Sequence, residues 1–201
     1  MNYLGHMILS GEDENTLLGN FIGDHISNKT LHNYSQSVQD GIHLHRAIDL
    51  YTDSHPKSRA LRAVLFAQYR HRSRVILDLF YDHFLAAHFE QFHPLPLSEY
   101  VQKVYDTLQR QLDLIPASAK NYFLAMKKYR WLEGYASNEG IRLALNQMSK
   151  RKNINPMGNA VDLLNDDYSY FKDTSFEFLE DVTDHFGLNK SNLNSFKILL
   201  N

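Results

Sequence analysis

The 201-residue sequence predicts an all-α fold, a compact single-domain bundle of many helices over residues 1–201. Three observations predict it. Helical hydrophobic periodicity runs along almost the whole chain, and alternating period-2 segments are hard to find. The 9 glycines and 5 prolines are few and stand at the joints between periodic segments. Nothing repeats at a fixed period and nothing is low-complexity. The pattern amounts to about eight to ten helices of ordinary length.

Taken in order, Asn2 to Leu9 is a short apolar helix carrying His6. Thr16 to Ile26 is a second, with Asp24 near its end; Gly19 and Gly23, four apart, predict the close approach of another helix. Tyr34 to Asp53 follows, and Pro56 stops it because the residue before a proline is pushed out of the α region. Ser58 to Arg70 is amphipathic and basic. Ser73 to Phe92 carries Leu77, Leu79, Phe80, Phe84, Leu85 and Phe89 around most of its circumference, the pattern of a central buried helix; Pro94 and Pro96 break it. Ser98 to Leu114 and Ala117 to Tyr135 are separated by Pro116. Asn138 to Lys150 is next, then a polar joint to Pro156. Asn159 to Phe186 reads as one long helix or two, and Ser191 to Leu200 as a last short helix or a frayed tail.

Composition narrows the chemistry. A formal charge of -2 gives the whole molecule no electrostatic case for nucleic acid. The absence of cysteine excludes disulfides, thiolate catalysis and cysteine-zinc sites, so a metal site must use His, Asp and Glu. The start, MNYLGHMILSGEDEN, has no basic n-region and too short an apolar run for a signal peptide. No stretch approaches the length of a membrane span, so a soluble cytoplasmic protein without a membrane partner is expected.

The richest stretch is GIHLHRAIDLYTDSHP, Gly41 to Pro56. On a helix, His45, Asp49 and Asp53 recur at i, i+4, i+8 and share one arc, with Leu44, Ala47, Ile48 and Tyr51 as a core-facing stripe opposite. Such an arc can chelate a divalent cation or position a water; it can equally be a solvated face. In the apolar helix from Ser73, Asp78 and Asp82 lie one turn apart with His83 beside them. Burying two like charges a turn apart costs several kcal/mol unless a metal, a histidinium or an arginine answers them. For Asp78 alone the plain answer is an ion pair with Arg46 or Arg74; for the pair with His83 a metal fits best. Asp24 is either a third carboxylate of the site or a polar residue facing water. His6, alone in an apolar run, reads more readily as a satisfied core histidine than as a ligand. His25, His32, His71, His93 and His185 read as surface or structural.

Charge is uneven along the chain. Lys57, Arg59, Arg62, Arg70, Arg72 and Arg74 form a run without an acid, and Lys127, Lys128, Arg130, Arg142, Lys150, Arg151 and Lys152 extend it. Asp162 to Asp184 is strongly acidic and reads as a solvated face. The basic run, next to both site helices, suits an acidic partner.

Four motifs in order, MNYLGH, LLGNFIGD at Leu17–Asp24, GIHLHRAID-YTD-P at Gly41–Pro56 and LD-YDHFLAAH at Leu77–His88, resemble bacterial acyl-carrier-protein phosphodiesterase. RWLEGYAS at Arg130–Ser137 and the NQMSKR after it resemble the second half of that family, so the likeness runs to about Arg151. The resemblance implies an all-helical fold similar to metal-dependent HD-type phosphohydrolases. It implies removal of the 4'-phosphopantetheine arm from holo acyl carrier protein with a divalent metal, typically Mn2+. It marks Asp24, His43, His45, Asp49, Asp53, Asp82 and His83 as family-motif positions. The adjacent pair here reads Asp82–His83, the reverse of the usual His–Asp order.

On this resemblance the expected metal ligands are Asp24, His45, Asp49, Asp82 and His83. His6 or Asp53 is expected to orient the water or to protonate the leaving serine oxygen. Arg59 and Arg62, then Lys127, Lys128, Arg130 and Arg151, are expected to receive the acidic carrier protein. Two other readings stand beside this one: another metal phosphohydrolase, such as a nucleotide phosphatase, on the same frame, and a non-catalytic module that binds an acidic protein.

Overall fold

The side chain of Asn2 accepts the Tyr3 N–H and starts α1 (Tyr3–Leu9). Asp13 does the same for α2 (Glu14–Ile22), accepting the Thr16 N–H at 2.7 Å. These helices open a computed structural model that describes residues 1–151 and 154–186; the side chain of Arg151 and the expected helix from Ser191 to Leu200 lie outside the described residues. Every regular element among the described residues is an α-helix or a short 3-10 turn. After α2 come α3 (Gln36–Ser54), α4 (Pro56–Tyr69) and α5 (Ser73–Ala87). Next are α6 (Leu97–Arg110), α7 (Ala117–Lys128), the single turn α8 (Trp131–Gly134) and α9 (Asn138–Arg151). The last two are α10 (Ala160–Asp166) and α11 (Tyr168–Phe186). None is long and apolar enough to cross a membrane.

Some boundaries differ from expectation and one open point is decided, each for a local reason. The second helix tightens into a 3-10 turn at Gly23–His25, so Asp24 sits past its end and not within it. The expected helix from Ala117 to Tyr135 breaks at Arg130, whose φ of 49° is left-handed. The span from Asn159 to Phe186 resolves into two helices at Asp167, with φ -136° and ψ 48°. Pro56 both stops α3 and opens α4, where its missing N–H costs nothing.

The core forms around α5, whose residues from Leu79 to Ala86 are all buried, with α1, α4, α9 and α11 packed against it. Tyr81 stacks on Phe178 at 4.3 Å between ring centres, and Phe80 meets the edge of Phe171 at 5.6 Å. The acidic α11 is not simply a solvated face. Asp181 and Glu177 receive Lys57 at 2.7 and 3.2 Å and tie α11 to the start of α4.

The crossing that matters for function is α2 on α3. A Cβ on Gly19 would stand 2.1 Å from the Val38 carbonyl oxygen and 2.9 Å from the Gly41 Cα; one on Gly41 would stand 2.2 Å from the Thr16 carbonyl oxygen. The two helices therefore touch backbone to backbone, the close approach that Gly19 predicts. The buried face of α3 is Val38, Ile42, His45, Ile48 and Thr52, not the expected stripe of Leu44, Ala47, Ile48 and Tyr51. Leu44 and Tyr51 are half-buried and Ala47 is exposed. His45 thus lies within the core-facing stripe.

Candidate metal centre

Three helices bring the site together. α1 supplies His6, α2 supplies Asn20 and the 3-10 turn after it Asp24, and α3 supplies His45 and Asp49. His6 and His45 stack with ring centres 4.3 Å apart and planes 23° from parallel. His6 Nε2 lies 3.1 Å from Asp49 Oδ1 and 3.1 Å from the Met1 carbonyl oxygen. His45 Nε2 lies 3.3 Å from Asp49 Oδ2 and 3.2 Å from Asp24 Oδ1. One donor atom from each of His6, His45 and Asp49 falls within 4.8 Å of the others. The tight seat of His45 comes from Gly23, where a Cβ would lie 2.4 Å from the imidazole.

The other ring nitrogens are taken. His6 Nδ1 is 2.8 Å from Asn20 Oδ1, and His45 Nδ1 is 2.8 Å from the Asn20 carbonyl oxygen. Asn20 itself is 1 % exposed. Its NH2 donates to the His6 carbonyl at 2.8 Å and to Ser10 Oγ at 3.0 Å.

Electrostatics follow from this crowding. Burial works against charge on His45, but Asp24 and Asp49 outweigh it and lift the imidazole to about 9. Burial also works against charge on Asp49, yet His45, His6 and the Met1 amine hold it well below the usual carboxylate range. Asp24, 3.2 Å from His45 Nε2, is likewise lowered by that imidazole. Burial lowers His6. Although two carboxylates stand near it, buried His45 Nε2 has no aligned hydrogen-bond partner. A divalent cation fits that arrangement: two imidazole nitrogens and carboxylate oxygens converge where a proton alone makes no good bond.

The site opens into a cavity of about 590 Å³ that Asp53, Asp78, Arg74 and His25 also line. The walls also include Val75, Tyr122, Trp131 and Met148. Of the expected residues, the cavity gathers His6, Asp24, His45, Asp49 and Asp53 and leaves out Asp82 and His83. Neighbours on a helix point about 100° apart, so these two cannot face the same way. Asp82 is fully buried and accepts the Leu4 N–H at 2.7 Å and the Gly5 N–H at 3.1 Å. It anchors the first turn of α1, and burial pushes its carboxyl up to about 7. His83 turns the other way, with Nδ1 2.8 Å from the Tyr135 carbonyl oxygen, and burial lowers it. Asp78 is answered by the Met1 amine at 3.0 Å, not by Arg46 or Arg74.

The remaining assignments shift in similar ways. His6 belongs to the donor cluster itself, so an expected role as proton carrier gives way to that of a candidate ligand. Asp53 accepts Arg62 at 2.6 Å and Arg74 at 3.0 Å, which occupies both of its oxygens. Arg62 is therefore not a free docking residue, whereas Arg59 is exposed. Lys127 donates to Gln109 and Arg130 pairs with Glu133; Lys128 is exposed over the Tyr129 ring. Exposed His43 points away from the buried stripe of α3. Asn20 is not singled out from the sequence, His25 reads there as surface or structural, and Arg74 as an ion-pair partner of Asp78 and part of the basic run. For Asn20 the signal was available, a lone amide among Leu17, Leu18, Phe21 and Ile22, all of them buried.

Comparison with known proteins agrees with the motifs. The family model described as acyl carrier protein phosphodiesterase matches residues 1–182. The acyl carrier protein phosphodiesterase of Serratia proteamaculans (strain 568) is 35% identical over 153 residues, 76% of this chain and 79% of that protein. The protein of the same name from Yersinia pestis is 32% identical over the same shares. The one from Salmonella paratyphi A (strain ATCC 9150 / SARB42) is 30% identical over 187 residues, 92% of this chain and 93% of that protein. No solved structure matches, so the kinship with HD-type phosphohydrolases rests on the resemblance alone.

Proposed function

The chain belongs to the acyl carrier protein phosphodiesterase family, and on that premise we propose that it is a divalent-metal-dependent hydrolase of holo acyl carrier protein. The bond cut is the phosphodiester link between 4'-phosphopantetheine and its serine. The observation that carries the metal-dependent part is the convergence of His6, His45 and Asp49 donor atoms within 4.8 Å at the floor of an open cavity.

His6, His45 and Asp49 would hold the cation, with Asp24 beside them as a further carboxylate. A bound divalent cation, Mn2+ on the family resemblance, would supply Lewis acidity toward the phosphodiester oxygens and a water acidic enough to ionise near neutral pH. Asp24, kept ionised by His45, orients that water from the exposed side. Arg74, tethered to Asp53 at 3.0 Å, offers its remaining N–H groups to a phosphate oxygen. His25 lines the same cavity, half-buried, with Nδ1 3.1 Å from Ser118 Oγ. Burial lowers its pKa, so a neutral imidazole would be on hand to take the proton that the attacking water loses and, as imidazolium, to pass it to the departing serine oxygen. Val75 and Met148 give the arm's methyl groups an apolar wall.

The carrier protein is small and acidic, and exposed cations near the cavity suit it. Lys128 is exposed on α7, which lines the cavity through Tyr122, and Arg59 is exposed on α4, which packs against the lining helices α3 and α5. Incubation of holo acyl carrier protein with the chain and Mn2+, read by mass spectrometry, tests the whole reading. Loss of the phosphopantetheine mass, abolished by a chelator, is expected. Turnover of nucleotides without turnover of the carrier protein would replace it with the nucleotide phosphatase reading.

A further inference from the structure

Asn20 stands between the two imidazoles, and its two carbonyls reach one each. Oδ1 lies 2.8 Å from His6 Nδ1, and the main-chain oxygen lies 2.8 Å from His45 Nδ1. The orientation of the side-chain amide is fixed independently. Its NH2 meets two acceptors, the His6 carbonyl at 2.8 Å and Ser10 Oγ at 3.0 Å, and Ser10 uses its own proton on that same carbonyl. Turning the amide over would set Oδ1 against the His6 carbonyl oxygen and against a Ser10 hydroxyl oxygen whose proton is already committed, two acceptors facing an acceptor. Oδ1 must therefore face His6, and a carbonyl oxygen can only accept. Nδ1 therefore carries a proton on both rings, so when a cation takes the place of any proton held between Nε2 and the oxygens of Asp49 and Met1, both Nε2 lone pairs are left to bind it.

We propose that Asn20 is the positioning residue of the centre: it sets the tautomer of His6 and His45 together and holds their stack, so that both rings offer Nε2 to one divalent cation. The inference rests on the reading of His6, His45 and Asp49 as metal ligands. It goes further by assigning the orientation of two ligands to one buried residue on a third helix. It also has an asymmetry built in. A substitution at Asn20 removes the bond to His6 but leaves the main-chain bond to His45. Partners that hold the far nitrogen of a metal-bound imidazole are worth about ten- to hundredfold in metal affinity.

The test uses isotope-labelled Cd2+ as the probe, with nitrogen–cadmium couplings and calorimetry on the full chain. In the parent protein both Nε2 atoms should couple to Cd2+, and both Nδ1 protons should exchange slowly. Asn20→Leu should lose the His6 coupling, keep the His45 coupling and bind Cd2+ about ten- to hundredfold more weakly. Asn20→Asp, which keeps the acceptor but not the NH2, should unfold at a lower temperature yet retain both couplings. Affinity that merely tracks thermal stability across the two variants would overturn the proposal. So would full Cd2+ affinity in Asn20→Leu, or a fast-exchanging His6 Nδ1 proton in the parent, the measurement that decides if the leucine variant does not fold. Absence of any coupling to either histidine in the parent would instead remove the metal centre itself, a separate failure.

Discussion

Asparagine in place of Asp82 tests the buried acid of α5 on a scale the structure sets. Asp82 has no solvent exposure, and burial raises its carboxyl from 3.8 to about 7, although the Met1 amine and two backbone N–H groups pull the other way. Because the folded-state value is the higher one, the unfolded chain gives up this proton first as pH rises. The stability contributed by this group is full below 3.8 and is lost as pH rises through about 7. That gap, from 3.8 to about 7, converts to about 4 kcal/mol. Asp82→Asn keeps the shape and one acceptor but sets an NH2 against one α1 N–H, a cost of about 1–3 kcal/mol that does not change with pH. Urea unfolding of the chelator-treated protein, followed by circular dichroism, should therefore move by about 4 kcal/mol in favour of the variant between about pH 4 and about pH 8. Parallel stability curves for parent and variant would refute the reasoning. With its two N–H partners known, Asp82→Ala should be destabilising in acid.

His45→Ala should abolish metal binding and lower turnover at least about hundredfold, while His83→Ala should retain metal affinity within a few-fold; equal losses in calorimetry would return His83 to the site. Gly19→Ala forces a Cβ to within 2.1 Å of the Val38 carbonyl oxygen, so it should cost about 1–3 kcal/mol or more in unfolding experiments and weaken metal binding as Asn20 is levered off His45. An unchanged melting temperature would mean that the helices are not in backbone contact. Arg59→Glu should lower kcat/KM for holo carrier protein in a way that fades with added salt and leaves a small phosphodiester untouched. Arg62→Glu, which breaks the bond to Asp53, should damage both activities; identical salt-dependent behaviour in the two variants would argue that Arg62 is free after all.

Local pattern carried much of this. The apolar circumference of α5 announced a central helix, Gly19 announced a close crossing, and the one-turn spacing of His45 and Asp49 announced a shared face. What local pattern could not supply was the identity of distant partners. The burial cost of Asp82 was readable, but the groups that answer it are backbone N–H groups on α1, 78 and 77 residues away in sequence. His6 looked like a core histidine because nothing near it in sequence reveals Asp49 across the helix interface. Arg62 looked free because its acid, Asp53, belongs to the preceding helix. The acidic α11 looked solvated because Lys57 lies 124 residues before Asp181. The stripe on α3 was misplaced because the polar His45 was assigned outward, whereas Asn20 on α2 makes an inward imidazole affordable.

The burial of α5 also sets the order in which the chain can be finished. Its face toward α1 can close early, since α1 precedes it and supplies the two N–H groups for Asp82. Its other face is covered by α11, through Phe171 against Phe80 and Phe178 against Tyr81, and α11 is made last among the described helices. A nascent chain paused after α9 therefore carries a half-built core, with aromatic surface bare on the ribosome for the whole time α10 and α11 take to emerge. A chain cut before α11 should therefore leave Phe80 and Tyr81 uncovered and be cleaved by protease more readily than the full chain.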